Sequence, residues 1–89
     1  MAKVTIYSKA YCPYCKQAKA TLLGLGLNFE EFDITNNPRY EQEMRQRSKR
    51  RTVPQIFIGD HHVGGNDDLQ IALRNGKLKE ILRANTVAA

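Results

Sequence analysis

Cys12-Pro13-Tyr14-Cys15 holds both cysteines of the 89-residue chain within one four-residue window. Two thiols at C-x-x-C spacing, after a strand-like stretch and at the opening of a helical one, suit thiol–disulfide exchange. If the helix starts at Pro13, the Cys12 sulfur sits beside unpaired backbone N–H groups and the positive end of the dipole. Both favour thiolate, so Cys12 should titrate below the free value of about 8.5. Lys9, earlier in the same loop, adds a nearby cation. Cys15 lies one turn into the helix, within reach of a mixed disulfide on Cys12, but with less help from the dipole and more shielding. The expected division of labour is that Cys12 attacks and Cys15 resolves, which requires an uncovered Cys12 sulfur.

Two other chemistries compete. A zinc site needs further ligands, and the candidates are His61 and His62, adjacent residues that would point to opposite faces of a strand. An inert pair of buried cysteines is the second alternative. A structural staple fits poorly, since a bridge across so short a loop removes little entropy from the unfolded chain.

The surrounding elements must present the two sulfurs. Lys3 to Ser8 alternates as a strand, with Val4 and Ile6 on one side and Thr5 and Tyr7 on the other. Pro13 suits the first helical position, where its missing N–H costs nothing. Ala18, Leu22 and Leu25 then recur at helical spacing with Leu23 beside them, and Gly24 or Gly26 suits the end. Leu27 to Ile34 reads as a second strand that buries Phe29, Phe32 and Ile34. Asn37-Pro38 reads as an N-cap and first turn of a polar helix reaching about Lys49, with Tyr40 and Met44 facing inward. Gln55 to Ile58 and His61 to Val63 read as strands around a Gly59-Asp60 turn. Gly64-Gly65-Asn66 leads into a last helix with Asp67 and Asp68 in its first turn and a buried stripe of Leu69, Ala72 and Leu73. Gly76 ends it. Leu78, Ile81 and Leu82 continue in one further helical piece before a frayed Thr86-Val87-Ala88-Ala89 end. The order strand, helix, strand, helix, strand, strand, helix (βαβαββα) predicts an α/β fold. Its first unit should be a right-handed parallel crossover and its last strands an antiparallel hairpin, in a four-stranded mixed sheet flanked by helices.

With 42% apolar and 26% charged residues, residues 1–89 should form one domain with one modest core. The start lacks the pattern of a secretory signal, and no stretch nears the roughly 18 apolar residues of a membrane span. A cytoplasmic protein is expected, with no membrane partner. The net charge of +5 admits acidic partners, but lysines and arginines scattered over helix exteriors give the same total. The run Lys49-Arg50-Arg51 is similar to a nucleic-acid patch, yet no aromatic stacking platform accompanies it, so no nucleic-acid partner is expected.

Three motifs together, Cys12-Pro13-Tyr14-Cys15, Thr52-Val53-Pro54 and Gly64-Gly65-Asn66-Asp67-Asp68, make the chain closely resemble the glutaredoxins, specifically the small bacterial dithiol class. The resemblance runs from about Lys3 to Leu82. It implies a thioredoxin fold and glutathione-dependent exchange at disulfides and glutathione mixed disulfides, with glutathione as co-substrate, no bound cofactor and no metal. By position it makes Cys12 the nucleophile and Cys15 the resolving thiol. Tyr14 would flank glutathione, and Thr52, Val53 and a cis Pro54 would present backbone to its cysteine. Gly65, Asn66 and Asp67, with Asp68 a further candidate, would meet the γ-glutamyl end, and Lys9 the glycine carboxylate.

From the residues alone, Asn66 and Asp67 read first as simple caps of their helix, and Pro54 serves equally as an ordinary trans strand-start proline. Family members often carry glycine before the basic residues that precede Thr-Val-Pro, where this chain has Ser48-Lys49-Arg50-Arg51. A lysine at positive φ costs about 1 kcal/mol, which predicts a different cap for the second helix. Asn66 stands where the family often has cysteine. The implied partners are disulfide-containing or glutathionylated proteins, with ribonucleotide reductase a candidate client, acting on a monomer. The closest rival reading is a thioredoxin-like dithiol donor served by a flavin reductase. An iron–sulfur carrier bridging a dimer through Cys12 and glutathione is a rival of another class.

Overall fold

Strand β1, Val4–Ser8, is buried along its whole length because it lies inside the sheet with helices against both faces. The computed structural model describes residues 3–85, so the expected fraying of residues 86–89 lies outside the described residues. After β1 come α1 (Pro13–Gly24), β2 (Phe29–Asp33), α2 (Pro38–Ser48), β3 (Gln55–Ile58), β4 (His61–Gly64), α3 (Asn66–Arg74) and α4 (Lys77–Ala84). The sheet order is β2-β1-β3-β4, with β1 and β2 parallel and the other pairs antiparallel. This is the mixed four-stranded sheet that the sequence predicts.

Alternation along β1 and β3 divides the core in two. Val4, Ile6, Ile56 and Ile58 face Ala18 and Leu22 of α1, Leu69 and Ala72 of α3 and Leu78 of α4. Tyr7 and Phe57 face the other way, onto Met44 of α2 and onto Ile34, just past β2. Side chains of period two on the inner strands therefore anchor helices above and below. The edge strand β2 is only half-buried at Phe29 and Phe32. Among the described residues, no helix is long and apolar enough to cross a membrane.

Helix ends explain the departures from the expected stripes. Leu25 is the C-cap of α1 rather than a member of its inner face, and it is 42% exposed. The turn closes because the Leu27 N–H donates to the Leu22 carbonyl and the Gly26 N–H to the Leu23 carbonyl, with Gly26 at φ 75°. Leu73 is also exposed, since Leu69 and Ala72 fill the contact between α3 and the sheet. A third departure concerns α2. Its cap is the left-handed one that lysine was expected to avoid: Lys49 takes φ 61°. The Ser48 hydroxyl supports the turn by donating to the Met44 carbonyl (2.7 Å) and accepting from the Arg50 N–H (3.0 Å). That turn aims the following residues, Arg50 to Pro54, back toward α1.

Candidate active site

Cys12 is the N-cap of α1, in extended backbone at φ −120°, ψ 105°, with Pro13 opening the helix. The Cys15 N–H donates to the Cys12 sulfur at 3.1 Å. An unpaired N–H of the first helical turn thus points at the sulfur, where it stabilises negative charge. The thiol lies 3.8 Å from the Val53 carbonyl oxygen. Cys12 keeps only 8% exposure, against 0% for Cys15. The sequence expectation of an uncovered sulfur is therefore corrected to a narrowly open one, because the cap geometry and the Val53 backbone close over it. Burial, then the hydrogen bond with Cys12, push the Cys15 thiol up to about 12, with the Lys9 backbone amide and the Lys19 charge opposing. At neutral pH Cys15 holds its proton.

Beside Cys12, a groove of about 210 Å³ is lined by Tyr14, Arg50, Thr52, Val53, Pro54, Gly65, Asn66, Asp67 and Asp68. The Val53-Pro54 peptide is cis. One wall is the loop entering β3 and the other is the start of α3. The N-cap of α3 is Gly65, so neither Asn66 nor Asp67 caps it. Asp68 serves that end instead: its carboxylate accepts from the Gly65 N–H at 2.9 Å. A Cβ at Gly64, which has φ 119°, would collide with this carboxylate. Asn66 is buried and tied inward, donating to Gln17 Oε1 (3.2 Å) and accepting from Gln70 Nε2 (3.3 Å). Its side chain joins α3 to α1.

The sequence-derived candidates thus divide. Tyr14, Thr52, Val53, Pro54, Gly65, Asn66 and Asp67 share the groove wall, and Asp68 joins them. Lys9 is exposed and does not line the groove. The cation that does is Arg50, which donates to Asp68 Oδ2 at 2.9 Å in a half-exposed pair. Sequence reasoning passed over Arg50 as part of a solvated basic run. Its place just ahead of Thr52 and Val53 was the available signal, since a loop aimed at the site carries its neighbours with it. The Arg50 hydrogen bond, then the Gly65 amide, hold the Asp68 carboxyl below the usual carboxylate range. Among the described residues, no group of three or more His, Cys, Asp or Glu could hold a metal ion. His61 is exposed, while the His62 ring stacks on Phe57 and bonds to Gln55.

A sequence profile of the glutaredoxins matches residues 4–63. Glutaredoxin 3 of Escherichia coli strain K12 is 48% identical over 83 residues, spanning 93% of this chain and all of that protein. The chain belongs to the glutaredoxin family. A glutaredoxin of Pseudomonas aeruginosa is 44% identical over 84 residues, spanning 94% of this chain and all of that protein. The solution structure of glutaredoxin from Brucella melitensis superposes with a TM-score of 0.83 at 45% identity, over 99% of this chain and 96% of that one. A buckwheat glutaredoxin–glutathione complex gives 0.83 at 30% identity, over 99% of this chain and 83% of that one. The fold is accordingly the thioredoxin fold of the glutaredoxins. The chain is a glutathione-dependent thiol–disulfide oxidoreductase with Cys12 and Cys15 as its dithiol.

Proposed function

We propose that the groove between Val53 and α3 holds the glutathione moiety of a mixed disulfide, with its sulfur against Cys12. In this reading the Thr52-Val53 backbone pairs with the glutathione cysteine. The amides of Asn66 and Asp67 receive the γ-glutamyl carboxylate at a helix N-terminus, where backbone N–H groups favour anions, beside Gly65, whose own N–H is taken by Asp68. The Asp67 carboxylate takes the ammonium. Arg50, rather than Lys9, faces the glycine carboxylate, because a guanidinium already held by Asp68 at the groove wall suits a carboxylate.

Chemistry follows from the asymmetry of the two thiols. Cys12 thiolate attacks the glutathione sulfur; a Cys12–glutathione disulfide forms, the client's disulfide breaks, and the client leaves as a thiol with a proton from solvent. A second glutathione thiolate then attacks the glutathione sulfur, releasing Cys12 and glutathione disulfide. In the dithiol route Cys15 gives up its proton, attacks Cys12 and expels glutathione, and two glutathiones later reopen the internal disulfide. The observation that carries the reading is the hydrogen bond from the Cys15 N–H to the Cys12 sulfur at the edge of this groove. Residence in the cytoplasm, a monomeric state, a single domain over residues 1–89 and glutathionylated or disulfide-bonded protein clients, ribonucleotide reductase among them, complete the proposal.

The test is a deglutathionylation assay on a glutathionylated peptide, regenerated by glutathione with glutathione reductase or by thioredoxin reductase alone. Turnover is expected with the first system, to be lost in Cys12→Ser and kept in Cys15→Ser. Turnover with thioredoxin reductase alone would favour the thioredoxin-like reading.

A further inference from the structure

We propose that His62 is a positioning residue for glutathione: through Gln55 it sets the Thr52-Val53 backbone that walls the groove. The inference rests on the groove reading above. Neither His62 nor Gln55 lines the groove, so any effect must pass through the loop.

Gln55 is fully buried, and its carboxamide has one acceptor and two donor hydrogens to place. Its Nε2 donates to the Thr52 carbonyl (2.9 Å) and approaches the Thr52 hydroxyl (3.1 Å). The Thr52 carbonyl can only accept, so the reversed amide would set two oxygens against each other. Gln55 Oε1 must therefore meet a donor, and the atom 2.7 Å away is His62 Nε2. This assigns the hydrogen of the neutral ring to Nε2. Burial first, then the Arg50 charge, push the His62 pKa down, which keeps that ring neutral.

The ring itself is held from outside the site. It stacks on Phe57 with centroids 4.8 Å apart at 28°, and the Arg47 guanidinium covers Phe57 at 4.1 Å from its centroid. A fixed ring fixes the N–H direction, the N–H orients the carboxamide, and the carboxamide holds the Thr52 carbonyl. Next along the chain, the Val53 carbonyl stands 3.8 Å from the Cys12 sulfur. A loosened Thr52 thus disturbs the surface beside the attacking atom, while leaving both thiols and their hydrogen bond in place.

His62→Phe keeps the stacked ring and removes the donor. His62→Gln restores an N–H at the same number of bonds from Cβ. In the deglutathionylation assay His62→Phe should raise the KM for a glutathionylated peptide about threefold to tenfold, the span of one net hydrogen bond, with kcat retained. His62→Gln should return KM to near the wild-type value. An unchanged KM in His62→Phe, or one that stays raised in His62→Gln, overturns the inference. A second measurement needs no variant: imidazole nitrogen shifts of the wild-type protein should show the Nε2–H tautomer, and an Nδ1–H ring overturns it as well. The groove reading is checked separately by backbone amide shifts of Cys15→Ser with and without glutathione on Cys12. Unmoved Thr52 and Val53 amides defeat that reading, whereas moved amides with an unchanged His62→Phe KM defeat only the role of His62.

Discussion

Raising pH should accelerate closure of the internal disulfide by Cys15 steeply through the neutral and mildly alkaline range. Burial, then Cys12, push the Cys15 thiol up to about 12. Its thiolate fraction at pH 7 is then about one in 10⁵, since each unit below the pKa costs tenfold. Glutathione on Cys12 removes the Cys12 contribution but leaves burial, the larger cause, so Cys15 stays protonated in the mixed disulfide too. Closure proceeds through the thiolate, so its rate should climb about tenfold per pH unit, or about 1,000-fold from pH 6 to 9. The assay loads glutathione onto Cys12, quenches with acid at intervals and counts glutathione released by mass spectrometry, with Cys15→Ser as the blank. A rate that levels off below pH 9 would refute the reasoning.

The remaining expectations concern the groove and the turn beside it. Arg50→Met should raise the KM for a glutathionylated peptide about threefold to tenfold, a charge-assisted hydrogen bond reduced by partial exposure, whereas Lys9→Met should change it by less than about twofold; steady-state kinetics on both variants decide. The pair between Arg50 and Asp68 is close to half exposed, so Asp68→Asn should cost at most about 1 kcal/mol. Because the folded pKa of Asp68 is depressed, its stabilisation is present above the unfolded value and lost as pH falls through the folded one. Melting curves should separate the variant from wild type at pH 7 and converge near pH 2. Lys49→Gly should relieve the left-handed residue at φ 61° and stabilise by about 0.5–1 kcal/mol, visible as a rise of a few degrees in Tm.

Periodicity carried the elements because the strands alternate between two real cores: Val4 and Ile6 against Tyr7, Ile56 and Ile58 against Phe57. It misplaced Leu25 and Leu73, whose spacing fits a stripe but whose backbone lies at a helix end or beyond the contact with the sheet. Cys12 and Cys15 were legible as a dithiol because both fall within four residues at the start of one helix. Arg50 and Asp68 were harder. Their pairing spans the α2 turn and the start of α3, and no local spacing announces an ion pair between residues 18 apart. The capping role fell to Asp68 rather than Asn66 or Asp67 because the helix begins one residue earlier than a side-chain cap at Asn66 would require. Lys49 in a left-handed turn was likewise hidden, since the supporting bonds come from the Ser48 hydroxyl.

Competitive alkylation tests the division of labour between the sulfurs most directly. Reduced protein is treated at pH 7 with less than one equivalent of iodoacetamide, and the labelled peptide is mapped by fragmentation. The sulfur that accepts the Cys15 amide should take the label, with Cys15 unmodified until the protein is unfolded. Label on Cys15, or an even split between Cys12 and Cys15, would contradict the account.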